Sequence, residues 1–131
     1  MAEEFETQHQ VETYRSLMTY GAMGLRFVLV VNGAAALAVL TFLGHLVASE
    51  AESLPDLRGP LALFVAGVVV GGVAVATAYM TQLNLFNEVV NPGFSRKPDP
   101  HRNWMRSTIF LLFVGVFTFG CGALWGVWKL N

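Results

Sequence analysis

Charge is scarce in this sequence, and that scarcity excludes several classes of function. Charged residues make up 13% of the chain, the formal net charge is −1, and 54% of the residues are apolar. Because so few polar side chains cannot cover an apolar core in water, the composition predicts a membrane protein. A net charge near zero provides no basic surface for nucleic acid, so we expect no nucleic-acid partner.

Residues that carry chemistry are also rare. The single cysteine, Cys121, allows neither an intrachain disulfide nor a cysteine-based metal site. His45 lies near a predicted span, but a pair of axial haem ligands would need a second histidine there. The sequence has no phosphate-binding loop, dinucleotide fingerprint or nucleophilic serine motif. We expect no catalytic residue, no cofactor and no metal site, and we predict that the protein is not an enzyme.

Long uncharged runs predict three membrane spans. Residues 61–81 contain no charged residue, and a helix of that length rises about 31 Å, enough to cross a hydrocarbon core of about 30 Å. Residues 27–47 and 109–127 form the other two predicted spans. The predicted fold class is therefore an all-α membrane protein in which residues 1–131 form a single membrane domain with three transmembrane helices.

The chain before the first span is predicted to be a helical arm. Residues 7–26 contain no proline, and Val11, Tyr14 and Met18 recur at helical spacing with polar residues between them. We expect this amphipathic arm to project into the cytoplasm and to continue into the first span. The alternative, a helix lying on the membrane surface, has less support because the polar face lacks the cluster of lysine and arginine residues expected of such a helix. The second span is predicted to continue as a helix to about residue 90, where it would pack against the arm.

The distribution of lysine and arginine predicts the orientation. One side of the membrane carries Arg15, Arg26, Arg96, Lys97, Arg102 and Arg106, whereas the other carries only Arg58 and Lys129. Basic residues favour the cytoplasmic side. We therefore expect a bacterial inner-membrane protein with its N terminus in the cytoplasm and its C terminus outside.

Small residues on one face of each span predict close helix packing. The candidate packing or oligomer-interface residues are Gly33, Ala34 and Ala38 in the first span, Gly67, Gly71, Ala74 and Ala78 in the second, and Gly115, Gly122 and Gly126 in the third. Small residues let helices approach closely in lipid. They could pack within one chain, but three such faces exceed what one three-helix bundle buries. The pattern favours a homo-oligomer or a larger membrane complex.

Polar residues in or near the spans are candidates for interhelical contacts or for lining a pore. They are Asn32, Thr41, His45, Gln82 and Asn87. On a helix, Asn32 lies about 180° from Thr41, which predicts that the first span meets protein on two sides. Arg26 and Glu88 lie near the inner boundary, where they either pair with each other or contact lipid headgroups.

The segment NGAAALAVLTFLG, residues 32–44, carries a resemblance. It is similar to a pattern in small uncharacterised bacterial membrane proteins with three spans, which place Asn-Gly and several alanines before a Phe-Leu-Gly turn. The similarity extends to YMTQ at residues 79–82. The resemblance implies a bacterial membrane protein and implies no particular activity.

Three hypotheses for function follow. The first is a homo-oligomer joined by the small-residue faces. Such an oligomer could enclose a pore, as a membrane-permeabilising effector does. The second is an accessory or structural subunit of a larger membrane complex. The third is a membrane anchor for a soluble partner, which would bind the arm and the second loop.

Overall fold

The computed structural model describes the backbone of residues 2–51, 53–90 and 100–130, and the side chains of residues 6–51, 53–90 and 101–130. Three α-helices account for nearly all of it: α1 (Ala2–Ala48), α2 (Arg58–Val90) and α3 (Pro100–Leu130). All three are long and apolar enough to cross a membrane. This confirms the predicted all-α class with three candidate spans.

Helix α1 runs without a break through both the predicted arm and the first span. At 1.5 Å per residue it is about 70 Å long. It ends in a Schellman motif, in which the Ala51 amide donates to the Leu46 carbonyl at 3.2 Å and the Glu50 amide donates to the Val47 carbonyl at 3.2 Å. Glu50 has a φ of 52°, the left-handed conformation for which glycine is the usual residue.

The connection from α1 to α2 is anchored by an apolar residue. Leu57 is buried, and its carbonyl accepts a hydrogen bond from the Leu61 amide at 3.0 Å in the first turn of α2. The Asp56 carboxylate lies 3.4 Å from the Arg58 amide, where it caps the helix weakly. Helix α2 therefore begins two residues before Pro60, and it continues to Val90.

Helices α2 and α3 form an antiparallel hairpin whose packing depends on glycine. A Cβ atom at Gly122 would lie 2.8 Å from Phe64 Cε1, and one at Gly59 would lie 2.7 Å from Trp125 Cη2. The Phe64 ring also lies against Phe119, with 6.0 Å between centroids. Because real Cβ atoms do not approach so closely, each of these glycines lets an aromatic ring rest on the neighbouring backbone.

Helix α1 lies against this hairpin along one narrow stripe. The stripe consists of Val28, Asn32 and Ala36, all buried, and it meets α2 at Gly71 and α3 at Gly115. Most of the remaining surface of α1 is exposed. Helix α3 begins at Pro100, and α1 is the least enclosed of the three helices.

Candidate functional site

A buried polar node joins the three helices at Asn32. The Asn32 side chain is 0% exposed, and its Nδ2 donates to the Val28 carbonyl at 2.9 Å and to the Gly115 carbonyl at 3.0 Å. Thr118 Oγ1 donates to the same Gly115 carbonyl at 2.9 Å. Asn32 therefore joins α1 to α3 through a hydrogen bond that lipid cannot replace.

The Asn32 Oδ1 atom has no hydrogen-bond partner within the described part of the chain. It faces the Cα of Gly67, because a Cβ atom added there would overlap the Asn32 amide and lie 2.7 Å from Thr118 Oγ1. A Cα–H contact offsets only part of the cost of an unpaired buried oxygen. Gly67 is thus the position at which α2 leaves space for this node.

The chemistry available at the node is limited to neutral hydrogen bonding. An amide, a hydroxyl and two backbone carbonyls provide neither an acid nor a base, and no ionisable side chain belongs to the node. Within the residues that the structure describes, no group of His, Cys, Asp or Glu side chains could hold a metal ion. The node is therefore suited to fixing the register and rotation of the helices.

The small residues of α2 and α3 predicted from the sequence pack mainly inside the chain. Gly67, Gly71, Ala74, Gly115 and Gly122 are buried, Ala78 and Gly126 are partly buried, and a Cβ atom at Gly126 would lie 3.7 Å from Pro60. In the first span, Gly33 faces Val68 at the edge of the contact. Ala34 and Ala38 are exposed on the other side of α1.

The outer face of α1 is an exposed and largely apolar surface that runs along the helix. We define it by Tyr20, Phe27, Ala34, Ala38 and His45, which lie within about 40° of one another at 100° per residue. Tyr20 is 71% exposed and Phe27 53%. The face begins in the predicted arm and continues through the first span without interruption.

The five polar candidates lie on different surfaces. Asn32 is buried in the node, whereas Thr41 and His45 are exposed on the opposite side of α1. Gln82 lies at the edge of α2, where its Nε2 is 3.4 Å from Met18 Sδ, and this contact brings the arm and the α2 extension together. Asn87 is half-buried farther along α2. The structure therefore does not bring them together along one surface.

An ion pair that the sequence did not predict closes the end of the hairpin. His101 Nδ1 lies 3.0 Å from both carboxylate oxygens of Glu88, and both side chains are 27% exposed. Glu88 stands in the last turn of α2 and His101 in the first turn of α3. Glu88 pairs here with His101 and not with Arg26, which makes no ion pair or hydrogen bond to any residue that the structure describes.

Comparison of the chain with protein-family models, with curated proteins and with solved structures finds no match.

Proposed function

We propose that this chain is a non-enzymatic multi-pass membrane protein that self-associates through the outer face of α1. The observation that carries the proposal is the exposure of that face along both the arm and the span. The lysine and arginine distribution supports an N terminus in the cytoplasm, and the resemblance of residues 32–44 to small bacterial membrane proteins supports a bacterial inner membrane.

The outer face of α1 continues across the cytoplasmic edge of the membrane-embedded segment. Tyr20 lies at that edge and is 71% exposed. Large apolar side chains grouped on an exposed surface are typical of a protein contact. Because the same face continues into the span as Phe27, Ala34 and Ala38, a partner helix could follow it across the membrane boundary.

A second copy of the chain fits this face because the face is uncharged. At 100° per residue, Glu12, Arg15 and Arg26 all lie to one side of it, and no charged residue interrupts it between His9 and His45. Parallel pairing of two α1 helices therefore places no like charges opposite each other. Ala34 and Ala38, spaced four residues apart, allow the close backbone approach that supports helix association in lipid.

Assembly is better supported than a selective pore. Gly67 and Gly71 on α2 and Gly115 and Gly122 on α3 are occupied inside the chain, so those faces are not free for a partner. Asn32 is enclosed by its own helices. The other polar candidates form neither a polar ring nor a charged ring that could line a selective pore.

A membrane anchor within a larger complex is the second candidate, and one observation favours it. Met18 lies level with Gln82, which places Val90, the end of α2, level with about residue 10 of α1. The start of α1 then projects about 12 Å beyond α2 at 1.5 Å per residue. A soluble partner could bind this projecting segment of α1.

Native mass spectrometry from lipid nanodiscs tests the proposal. We expect the wild type at a discrete multiple of the 14.3 kDa chain mass. The double variant Ala34→Leu/Ala38→Leu should weaken association at least about tenfold, or 1.4 kcal/mol, because added side chains separate the helices.

The matched control is Ala62→Leu/Ala66→Leu. These two alanines have the same spacing and are also exposed, but on α2. The control should keep the wild-type mass. A wild type that is stable as a single chain, or two variants that behave alike, would contradict the proposal and favour the larger complex.

A further inference from the structure

We infer that Arg26 lies inside the hydrocarbon layer and binds a lipid phosphate there. Charged residues on α2 and α3 mark the edges of the hydrocarbon layer. On α3 the uncharged run is 107–128, between the exposed residues Arg106 and Lys129. On α2 it begins after Arg58, and the first polar side chain beyond the threonines is Gln82. These limits span about 34 Å, close to a bilayer core of about 30 Å.

The packing of α1 then fixes its depth relative to these limits. A Cβ atom at Gly24 would lie 2.9 Å from Leu112 Cδ1, and one at Gly71 would lie 2.8 Å from Leu29 Cδ2. Arg26 lies between Gly24 and Leu29 on α1. It is therefore level with the residues that follow Leu112, about 10 Å inside the layer from Arg106 at 1.5 Å per residue.

The same register moves the membrane-embedded part of α1 toward its N terminus. Met18 is level with Gln82, so α1 enters the layer near residue 20, and it leaves near residue 41, which is level with Gly59. Hydropathy alone favours 27–47, because it avoids Arg26. The glycine contacts hold α1 with residues 20–41 in the layer, since sliding the helix along its axis would break the node at Asn32.

Among the residues that the structure describes, none compensates the Arg26 charge at that depth. Arg26 is exposed and makes no ion pair or hydrogen bond with a described residue. The uncharged runs of α2 and α3 contain no carboxylate, and the closest acidic residue on its own helix, Glu12, is about 21 Å away along the axis. The described part of the chain therefore supplies no counter-ion at this depth.

A phospholipid phosphate meets this requirement. Helical side chains lean toward the helix N terminus, and for α1 this direction leads to the nearer edge of the layer. The arginine can therefore snorkel toward the headgroups while the bilayer thins locally beside α1. Its planar guanidinium binds phosphate oxygens in pairs, which a lysine does not reproduce.

Lipid retention tests the binding. The protein would be released from nanodiscs of mixed phosphatidylglycerol and phosphatidylcholine, and bound lipids counted by native mass spectrometry. Arg26→Leu should reduce retained phosphatidylglycerol about fivefold, the contribution of one basic residue near an anionic lipid surface. Arg26→Lys should retain an intermediate amount.

The control is Arg15→Leu, which removes a charge from the same side of α1 before the helix enters the layer. This variant should change lipid retention little. Equal retention by wild type and Arg26→Leu, or an equal loss in Arg15→Leu, would overturn the assignment.

Depth can be measured separately from binding. A spin label at Met23→Cys in a Cys121→Ser background should be accessible to oxygen and protected from a water-soluble nickel reagent, because Met23 is exposed within the shifted span. The same label at Thr13→Cys should be accessible to nickel. If residue 23 is as accessible to nickel as residue 13, α1 enters the membrane later and the inference fails.

Discussion

The α2–α3 hairpin and helix α1 are built from the same kinds of residues but are held in place differently. In the hairpin, glycine meets an aromatic ring at Gly122 and Gly59, where a single added carbon would collide with Phe64 or Trp125. Helix α1 meets the hairpin along one stripe, where the side chains of Val28 and Asn32 enter positions left open by glycine. The difference shows that the hairpin depends on close backbone approach, whereas α1 depends on a few inserted side chains.

The two regions also differ in what they leave exposed. The remaining outer surface of α3 carries large side chains such as Phe110, Phe113 and Phe117, which suit contact with lipid chains. The outer face of α1 carries Ala34 and Ala38 within the predicted span and Tyr20 before it. Thus the hairpin is largely satisfied within one chain, and α1 is the element suited to a second copy.

The largest expected effect comes from filling the hairpin contact. Gly122→Leu should destabilise the bundle by about 3 kcal/mol, because the new side chain collides with the Phe64 ring and separates α2 from α3. Unfolding in mixed micelles, followed by circular dichroism, measures the loss.

The control for this change is Gly120→Leu on the same helix. No atom lies within 4 Å of a Cβ at Gly120, so the added side chain meets open space. This variant should be neutral, or more stable by a few tenths of a kcal/mol because leucine favours helix over glycine. Similar losses in both variants would show that α2 and α3 do not pack through Gly122.

A smaller effect is expected where α1 joins the hairpin. Asn32→Leu should cost about 1 to 2 kcal/mol, because it removes the hydrogen bond to the Gly115 carbonyl and puts a branched side chain against Gly67. The loss should be confined to α1, so hydrogen exchange should increase in residues 24–36 while the α2–α3 contact stays protected. Thr41→Leu, on the exposed side of the same helix, should leave exchange unchanged. Increased exchange across all three helices would mean that α1 and the hairpin unfold as one unit.

The sequence predicted the helices and the packing face of α2 well, because both follow from local periodicity. Uncharged runs gave the three spans, and the spacing of Gly67, Gly71 and Ala74 placed them on one side, which is buried. Periodicity identifies a face but not what the face meets. The hydrogen bond between Asn32 and Gly115 joins residues 83 positions apart, and no local signal indicates that pairing.

Helix α1 was harder to predict for the same reason. Ala36 is buried whereas Ala34 and Ala38 are exposed, although all three belong to one alanine-rich segment. Their different surroundings depend on the rotation of α1, which the Asn32 node fixes. The pair of Glu88 and His101 escaped prediction although α2 was expected to continue to about residue 90, because the rotation of α2 and α3 about their axes decides which side chains meet at this end.

The smallest expected effect lies at the open end of the hairpin, where Glu88 and His101 meet. Glu88 is unfavourable for α2, since its carboxylate lies in the last turn of the helix, near the negative end of the helix dipole. The contact with His101 offsets this cost, but solvent reaches both side chains. A double-mutant cycle with Glu88→Ala and His101→Ala should therefore give a coupling of at most about 1 kcal/mol. Hydrogen exchange should increase only near residues 85–90 and 101–105, and Glu12→Ala in the arm should not reproduce it. A coupling near zero would show that the hairpin is held by its glycine contacts alone, whereas a coupling comparable to the loss in Gly122→Leu would make this pair an equal support of the hairpin.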